Sequence, residues 1–353
     1  MRRCIELALR GQGRTAPEPM VGCVVVDRRG RVVAEAWQGR GAHAEAQALS
    51  RAGARAAGGA LYVNLEPCRA CGELVVGSGV ARVVMGMKRP IEGGARWLRR
   101  RAEVVVGLLG GECEEQNRAF LTRAREGRPW FTLKAAATLD GKVATWRGES
   151  KWVTGEAARR EGHRLRDAHD AILVGVGTVL ADDPSLTVRG IAGGRDPVRV
   201  VVDSGLRTPT GAALLRARGS GRGQARVIIA TTRAASASRE RRLEVAGAEV
   251  WRLPARGGRV DLRGLARRLA AEEVASVLVE GGPTIHGAML EAALGDELRL
   301  FLAPIVLGGH GRRVAPGWAA GRGVDRLADA WKMRFAAEPR RLGDDILLTL
   351  RPR

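Results

Sequence analysis

His43-Ala44-Glu45 and, after an apolar run, Pro67-Cys68-Arg69-Ala70-Cys71 decide how the first half of this 353-residue chain is read. The two pieces bring one imidazole and two thiolates within reach of a single zinc ion. Three protein ligands leave the fourth tetrahedral position open, which separates a catalytic zinc from a structural one. Water in that position becomes a nucleophile near neutral pH. Glu45 stands two residues beyond the ligand His43, so it can carry a proton from that water to a leaving group without binding the metal. We assign it as general acid/base. A closed structural clip would need a fourth ligand, and no neighbouring residue supplies one.

Outward from this stretch the pattern is alternating. Residues 1–12 read as an amphipathic helix, and charges at Glu6 and Arg10 interrupt any signal-peptide core. Val21–Val26 and Arg31–Trp37 read as strands joined by a turn at Arg29-Gly30. Ala46, Leu49 and Ala52 follow helical spacing, which puts His43 and Glu45 in a first helical turn. Leu61–Leu65 is a third strand, and Pro67 at the N1 position would open a helix carrying Cys68 and Cys71 on one face. Arg82–Met87 and Val104–Val106 continue the strands, and Glu112–Arg125 reads as one polar-rich helix.

Gly127-Arg128-Pro129 marks a boundary, giving domains of 1–127 and 128–353. A second αβ pattern follows: strands at Trp130–Ala137, Ala171–Gly175, Val198–Val202 and Arg226–Ala230, and a helix at Gly155–Ala168. The tract at Gly219-Ser220-Gly221 reads as a surface loop. Leu278-Val279-Glu280-Gly281-Gly282-Pro283 is a strand running into a glycine turn and a helix to about Leu290, and Leu298–Pro304 is expected to close the domain. Gly281-Gly282 followed by Thr284 on a helix N-terminus presents backbone N–H groups to a phosphate.

Composition bounds the rest. The formal net charge is +21, but only five of the 59 basic residues are lysine and the arginines are scattered rather than clustered. A nucleic-acid footprint would cluster, so nucleic acid is not the expected partner. An anionic small molecule suits the field. No apolar run is long enough to cross a bilayer, and five cysteines, two of them in a metal pattern, suit a reducing compartment. Cytoplasm is the expected location, and a homo-oligomer stays open. His163, His169, His286 and His310 show no ligand spacing with one another and read as structural.

The first motif pair is the signature shared by zinc deaminases, and alone it would fit many of them. The whole chain, however, resembles the bifunctional deaminase/reductase family of riboflavin biosynthesis. The resemblance rests on Val21-Gly22-Cys23, His43-Ala44-Glu45, Glu66-Pro67-Cys68, Thr138-Leu139-Asp140-Gly141-Lys142, Ser150-Lys151-Trp152-Val153-Thr154, Asp170 to Gly175, Gly177 to Pro184, Leu186-Thr187-Val188-Arg189, Val279-Glu280-Gly281-Gly282 and Ala303-Pro304. It implies an α/β chain with an N-terminal cytidine-deaminase-like αβα domain and a C-terminal dihydrofolate-reductase-like αβ domain. Its cofactors would be one zinc per chain, on His43, Cys68 and Cys71, and NADPH.

The implied substrate is a diaminopyrimidinone ribosyl phosphate, deaminated and then reduced in its ribose. By motif position Ala136, Trp152, Thr178, Asp182, Ser204 and the turn Gly282, Pro283, Thr284, Ile285, His286, Gly287 and Ala288 would line the dinucleotide. Ser150, Arg166, Leu186, Arg189 and Glu280 would hold the substrate. Lys142, one of few lysines in an arginine-dominated chain, would place an ammonium at the substrate.

The chain departs from the family in the first half. Pro17-Glu18-Pro19 puts a carboxylate where the family has an amide, Cys68 and Cys71 lack the long intervening loop, and Met87-Lys88-Arg89-Pro90 lacks the usual acidic residue. Arg69 or Arg89 would then take over the phosphate, or the first domain would act on another amino-pyrimidine or purine. Two other readings are a nucleic-acid deaminase with a basic accessory domain and a non-catalytic zinc-stabilised interaction protein. The first does not explain the second-half motifs, and the second has no use for Glu45.

Overall fold

The computed structural model describes residues 1–39, 41–90, 93–217, 226–309 and 314–353. Gly219-Ser220-Gly221 and His310 lie outside them. The chain divides into two compact units, Met1–Arg128 and Pro129–Arg353.

The first unit runs α1 (Arg2–Leu9), β1 (Gly22–Val26), β2 (Val32–Trp37), α2 (Ala44–Ala52), β3 (Ala60–Leu65), α3 (Arg69–Gly77), β4 (Arg82–Met87), α4 (Ala95–Leu98), β5 (Glu103–Val106), α5 (Gly110–Gln116) and α6 (Arg118–Glu126). Its sheet has the order β2-β1-β3-β4-β5. β1 pairs antiparallel with both β2 and β3, while β3, β4 and β5 are parallel. Strands as apolar as Gly22-Cys23-Val24-Val25-Val26 need cover on both faces. α1 covers Val24 with Cys4 and Leu7, and Val25, Leu61, Val63 and Met85 face Ala48, Leu49 and Val75 of α2 and α3.

Two expectations shift here. Pro67 is not the first helical residue: Cys68 is the N-cap of α3, in extended backbone, and Pro67 precedes it. The expected single helix over 112–125 is broken into α5 and α6 at Asn117. The Asn117 side chain is the reason. Its Oδ1 accepts the Met20 N–H at 2.8 Å and its Nδ2 donates to the Met20 carbonyl at 3.0 Å, so the side chain ties this point, where the backbone leaves helical angles, to a distant strand entry.

The second unit runs β6 (Trp130–Thr138), α7 (Glu156–Ala168), β7 (Ala171–Gly175), α8 (Val176–Asp182), β8 (Val198–Val202), α9 (Ala213–Arg216), β9 (Val227–Thr232), α10 (Ala237–Val245), β10 (Glu249–Leu253), β11 (Ala255–Arg256), β12 (Arg259–Val260), α11 (Leu262–Ala271), β13 (Ser276–Val279), α12 (Pro283–Glu291), β14 (Glu297–Ala303), β15 (Met333–Phe335), β16 (Arg340–Leu342) and β17 (Asp345–Pro352). The large sheet follows β10-β9-β8-β7-β13-β6-β14-β17-β15, with β16 on β17. From β10 to β14 it is parallel, and β17 then joins antiparallel. Leu298–Pro304 therefore does not close the unit, because Leu298–Leu302 pair with Ile346–Leu350. One face packs Leu133, Leu173, Val200 and Val277 against Leu265, Leu269 and Met289 of α11 and α12. The other packs Ile172, Val174, Val201 and Ile229 against Val179 of α8, Leu215 of α9 and Leu243 of α10.

Candidate functional sites

In the first unit α2 and α3 aim their N-termini at one point. His43 is the N-cap of α2 and Cys68 the N-cap of α3, with Cys71 in the first turn of α3. His43 is thus one residue before the helix in which it was expected. His43 Nδ1 lies 3.1 Å from Cys71 Sγ and 3.5 Å from Cys68 Sγ, and all three donor atoms fall within 4.8 Å of one another. A tetrahedral zinc with Zn–S of about 2.3 Å and Zn–N of about 2.0 Å spaces N and S by roughly 3.5 Å, so the three donors fit that ion. Glu45, 3% exposed, adds an independent sign, because its Oε2 is buried with no hydrogen-bond partner. Burial raises its carboxyl pKa, against the pull of its own backbone amide, His43 and Arg89. Burial likewise pushes the Cys71 thiol up.

The surroundings give roles to Glu66 and Asn64 that sequence reasoning did not assign, and they separate the two arginine candidates. Glu66, buried just before Pro67, accepts the Arg89 N–H at 3.0 Å on Oε2 and the Ala95 N–H at 2.6 Å on Oε1. It fixes both ends of the loop that carries Arg89. The Arg89 guanidinium lies 6.0 Å from the Phe120 ring centroid, and its charge is felt by Glu45 and Cys71. Arg69 instead points outward, its side chain 84% exposed and 3.6 Å from Glu73. Asn64, fully buried, accepts the Gly22 N–H at 2.9 Å and donates to the Met20 carbonyl at 2.9 Å, so Asn64 and Asn117 grip the chain just after Pro17-Glu18-Pro19. An asparagine inside an apolar strand was the available signal, since a buried amide must find partners.

In the second unit a cavity of about 400 Å³ opens at the C-terminal edge of the parallel strands, where open α/β sheets bind their ligands. Ala136, Ser150, Thr178, Asp182, Glu280, Gly282, Pro283, Thr284, Ile285 and His286 line it. Gly281 precedes α12 because a Cβ there would fall 1.7 Å from Ile285 Cγ2. The Gly282 N–H is held by Thr178 Oγ1 at 3.0 Å, and Ser150 Oγ lies 3.3 Å from Asp182 Oδ1. His286, buried, has Nδ1 2.9 Å from the Trp318 carbonyl and Nε2 3.2 Å from the Val279 carbonyl.

The other expected residues stand back from the cavity. Trp152 is 72% exposed, and Ser204 follows β8 with its Oγ accepting the Val260 N–H at 3.1 Å. Gly287 faces away, where a Cβ would lie 1.4 Å from the Ala320 carbonyl oxygen, and Ala288 follows it in α12. Leu186 is buried among Ile172, Val176 and Leu206. Lys142 makes a backbone bridge to Gly317, and the lysine that lines the cavity is Lys134 of β6. A lone lysine in an otherwise apolar strand was a signal available in the sequence and not used.

Arg166 of α7 grips Glu280 with two bonds, 2.7 Å from Nε and 2.8 Å from Nη2, and its Nη1 donates to the Thr187 carbonyl at 2.9 Å. Burial pushes Glu280 up, but the charge and hydrogen bonds of Arg166 outweigh it and hold this carboxyl down at about 2. The Arg166 guanidinium is raised in turn by Glu280 against its own burial. The pair is ionised, and it places a carboxylate and a guanidinium at the mouth of the strands.

Residues 1–87 match the family described as the cytidine and deoxycytidylate deaminase zinc-binding region, and residues 129–329 match the RibD C-terminal domain. The riboflavin biosynthesis protein RibD of Bacillus amyloliquefaciens is 40% identical, over 100% of this chain and 95% of its own length. That of Escherichia coli (strain K12) is 36% identical, over 99% and 98%. Among solved structures, the diaminohydroxyphosphoribosylaminopyrimidine deaminase/5-amino-6-(5-phosphoribosylamino)uracil reductase of Thermotoga maritima superposes with a TM-score of 0.85 at 32% identity, covering 100% of this chain and 97% of that one. Acinetobacter baumannii RibD gives 0.87 at 30%, with the same coverage. With a zinc-deaminase motif set in one unit, a reductase unit in the other and relatives spanning the full length, this chain belongs to the RibD family of bifunctional riboflavin-biosynthesis deaminase/reductases.

Proposed function

We propose that the first unit removes the exocyclic amine of 2,5-diamino-6-ribosylamino-pyrimidin-4-one 5′-phosphate, and that the second reduces the ribosyl group of the product to ribityl with NADPH. The observation that carries the first step is the convergence of His43, Cys68 and Cys71 beside the unpartnered Glu45 Oε2. A zinc ion on those three donors supplies a water of lowered pKa in its open position. Glu45, buried with its Oε2 unpartnered beside those donors, would accept a proton from a water added to the amine-bearing ring carbon and would return it to the departing amine, so that ammonia would leave and the water's oxygen would stay on the ring as a carbonyl.

In the second unit NADPH supplies the hydride. The amides at the start of α12, the Gly281-Gly282 turn and the Thr178 and Asp182 side chains of α8 form the dinucleotide wall of the cavity. Ser150, Arg166, Arg189 and Glu280 hold the phosphorylated pyrimidine, with Lys134 as the cation inside the cavity. Trp152, Ser204 and the buried Leu186 serve this site from its margins. The position of Ser204 beyond β8, next to β7 in the sheet, supports a place along the extended dinucleotide.

Glu45→Gln separates the two steps. Ammonia release should fall by about a hundredfold or more, while NADPH oxidation with the pre-deaminated substrate stays within about twofold of the parent, the two units being separate compact bodies. A parallel loss of both activities would contradict two sites.

A further inference from the structure

Resting on the reading of Arg189 as a substrate residue, one more side chain in the second unit acquires a role. The segment Ser185–Arg189 belongs to no strand and is held from outside at three consecutive residues. Arg166 Nη1 donates to the Thr187 carbonyl at 2.9 Å, Asp196 Oδ1 accepts the Val188 N–H at 2.6 Å, and His163 Nδ1 accepts the Arg189 N–H at 3.2 Å. His163 and Arg166 lie three residues apart on α7, so one helix face grips the segment twice. The Arg189 side chain is braced at its far end as well, with Nη1 2.9 Å from Ser185 Oγ.

We propose that His163 is a positioning residue of the reductase site, whose neutral imidazole fixes the Arg189 backbone and thereby sets where that guanidinium meets the anionic substrate. An amide N–H can only donate, so Nδ1 is the acceptor and the ring proton sits on Nε2. A protonated ring would lose the bond and add a third cation beside Arg166 and Arg189. The surroundings oppose that state: burial, then Arg166 and Arg189, push the imidazole down to about 4, although Glu280 and the Thr187 carbonyl pull the other way. When His163 is changed the Thr187 carbonyl keeps Arg166 and the Val188 N–H keeps Asp196, so the lost anchor is that of Arg189.

The test uses the full chain with 5-amino-6-(5-phosphoribosylamino)uracil as substrate. His163→Leu removes the acceptor, and His163→Asn keeps an oxygen close to the place of Nδ1. His163→Leu should raise the substrate KM by about five- to twentyfold, the loss expected when a hydrogen bond that orients a charged contact is removed. The KM for NADPH and kcat should stay within about twofold. His163→Asn should recover most of the loss, and in an Arg189→Ala background His163→Leu should add nothing further. An unchanged substrate KM in His163→Leu, when Arg189→Ala does raise it, overturns the proposal alone. Equal rises in the KM for both ligands, or a His163→Leu effect that persists without Arg189, overturn it too. If Arg189→Ala itself leaves the substrate KM unchanged, the assignment of Arg189 falls and the proposal with it.

Discussion

Glu66 and Arg89 show how a residue acquires its part in a site from its hydrogen bonds rather than from its place in the sequence. The chain has only Arg69-Ala70 between its zinc cysteines, and both Arg69 and Arg89 were candidates to meet the substrate phosphate. Geometry separates them. Arg69 lies on the outer side of α3 beside Glu73, whereas Arg89 is anchored through its own N–H to buried Glu66 and acts electrostatically on Glu45 and Cys71. Arg89→Ala is therefore expected to raise the deaminase KM about five- to tenfold, as for loss of a charge-assisted hydrogen bond. Arg69→Ala should change it less than twofold. Steady-state ammonia release with the ribosyl phosphate measures both, and the reverse order would sink this assignment. The ligands His43, Cys68 and Cys71 were legible in the sequence because metal chemistry fixes residue type and spacing together. The bonds of Glu66 were not, since they reach Arg89 and Ala95, more than twenty residues away.

Among the elements, the parallel strands were the most legible, because double-sided burial writes them as unbroken apolar runs such as Ala171-Ile172-Leu173-Val174. The break between α5 and α6 was hidden, for Glu112–Arg125 carries a helical composition throughout and the interruption comes from Asn117 bonding to Met20 across 97 residues. Late strands β15, β16 and β17 were missed for a related reason. β15 and β16 are three residues each and exist by pairing with β17, which itself pairs with β14. Asn117, 2% exposed, tests the first of these. Asn117→Ala takes the acceptor of the Met20 N–H, while the Met20 carbonyl keeps Asn64, and should destabilise the first unit by roughly 2 kcal/mol. Urea unfolding followed on that unit checks it, and a loss below the scatter of the midpoint would show that Asn117 is dispensable.

At the scale of the whole chain, the two units should answer differently to acid. His163 has a folded pKa of about 4, below the ordinary imidazole value of 6.5. Between those two pH values the unfolded chain binds a proton that the folded chain does not, so stability falls as pH falls through this window. Glu280, held at about 2 against an ordinary 4.5, extends the loss to lower pH. Both groups lie in the second unit. Calorimetric scans from pH 7 to pH 3 should show the reductase transition moving down over the upper window in the parent, and moving less in His163→Asn. A slope in that window unaffected by the substitution would remove His163 as its source. No helix among the described residues is long and apolar enough to cross a membrane.

Two cysteines three residues apart, one at the N-cap of α3 and one in its first turn, also constitute a dithiol. The sulfurs of Cys68 and Cys71 lie within 4.8 Å of each other with Arg69-Ala70 alone between them, which is the spacing of redox-active pairs. Bound metal occupies both sulfurs and keeps them from reacting. A chain stripped of zinc by chelator in air should therefore close a disulfide, two thiols being oxidised by dioxygen, and then refuse the metal. Thiol titration would fall by about two per chain, and ammonia release would return only when a reductant precedes the added zinc. Recovery with zinc alone would show that the pair stays reduced. In this chain the two-residue spacing would make metal loss an oxidative event, reversed only by a thiol reductant.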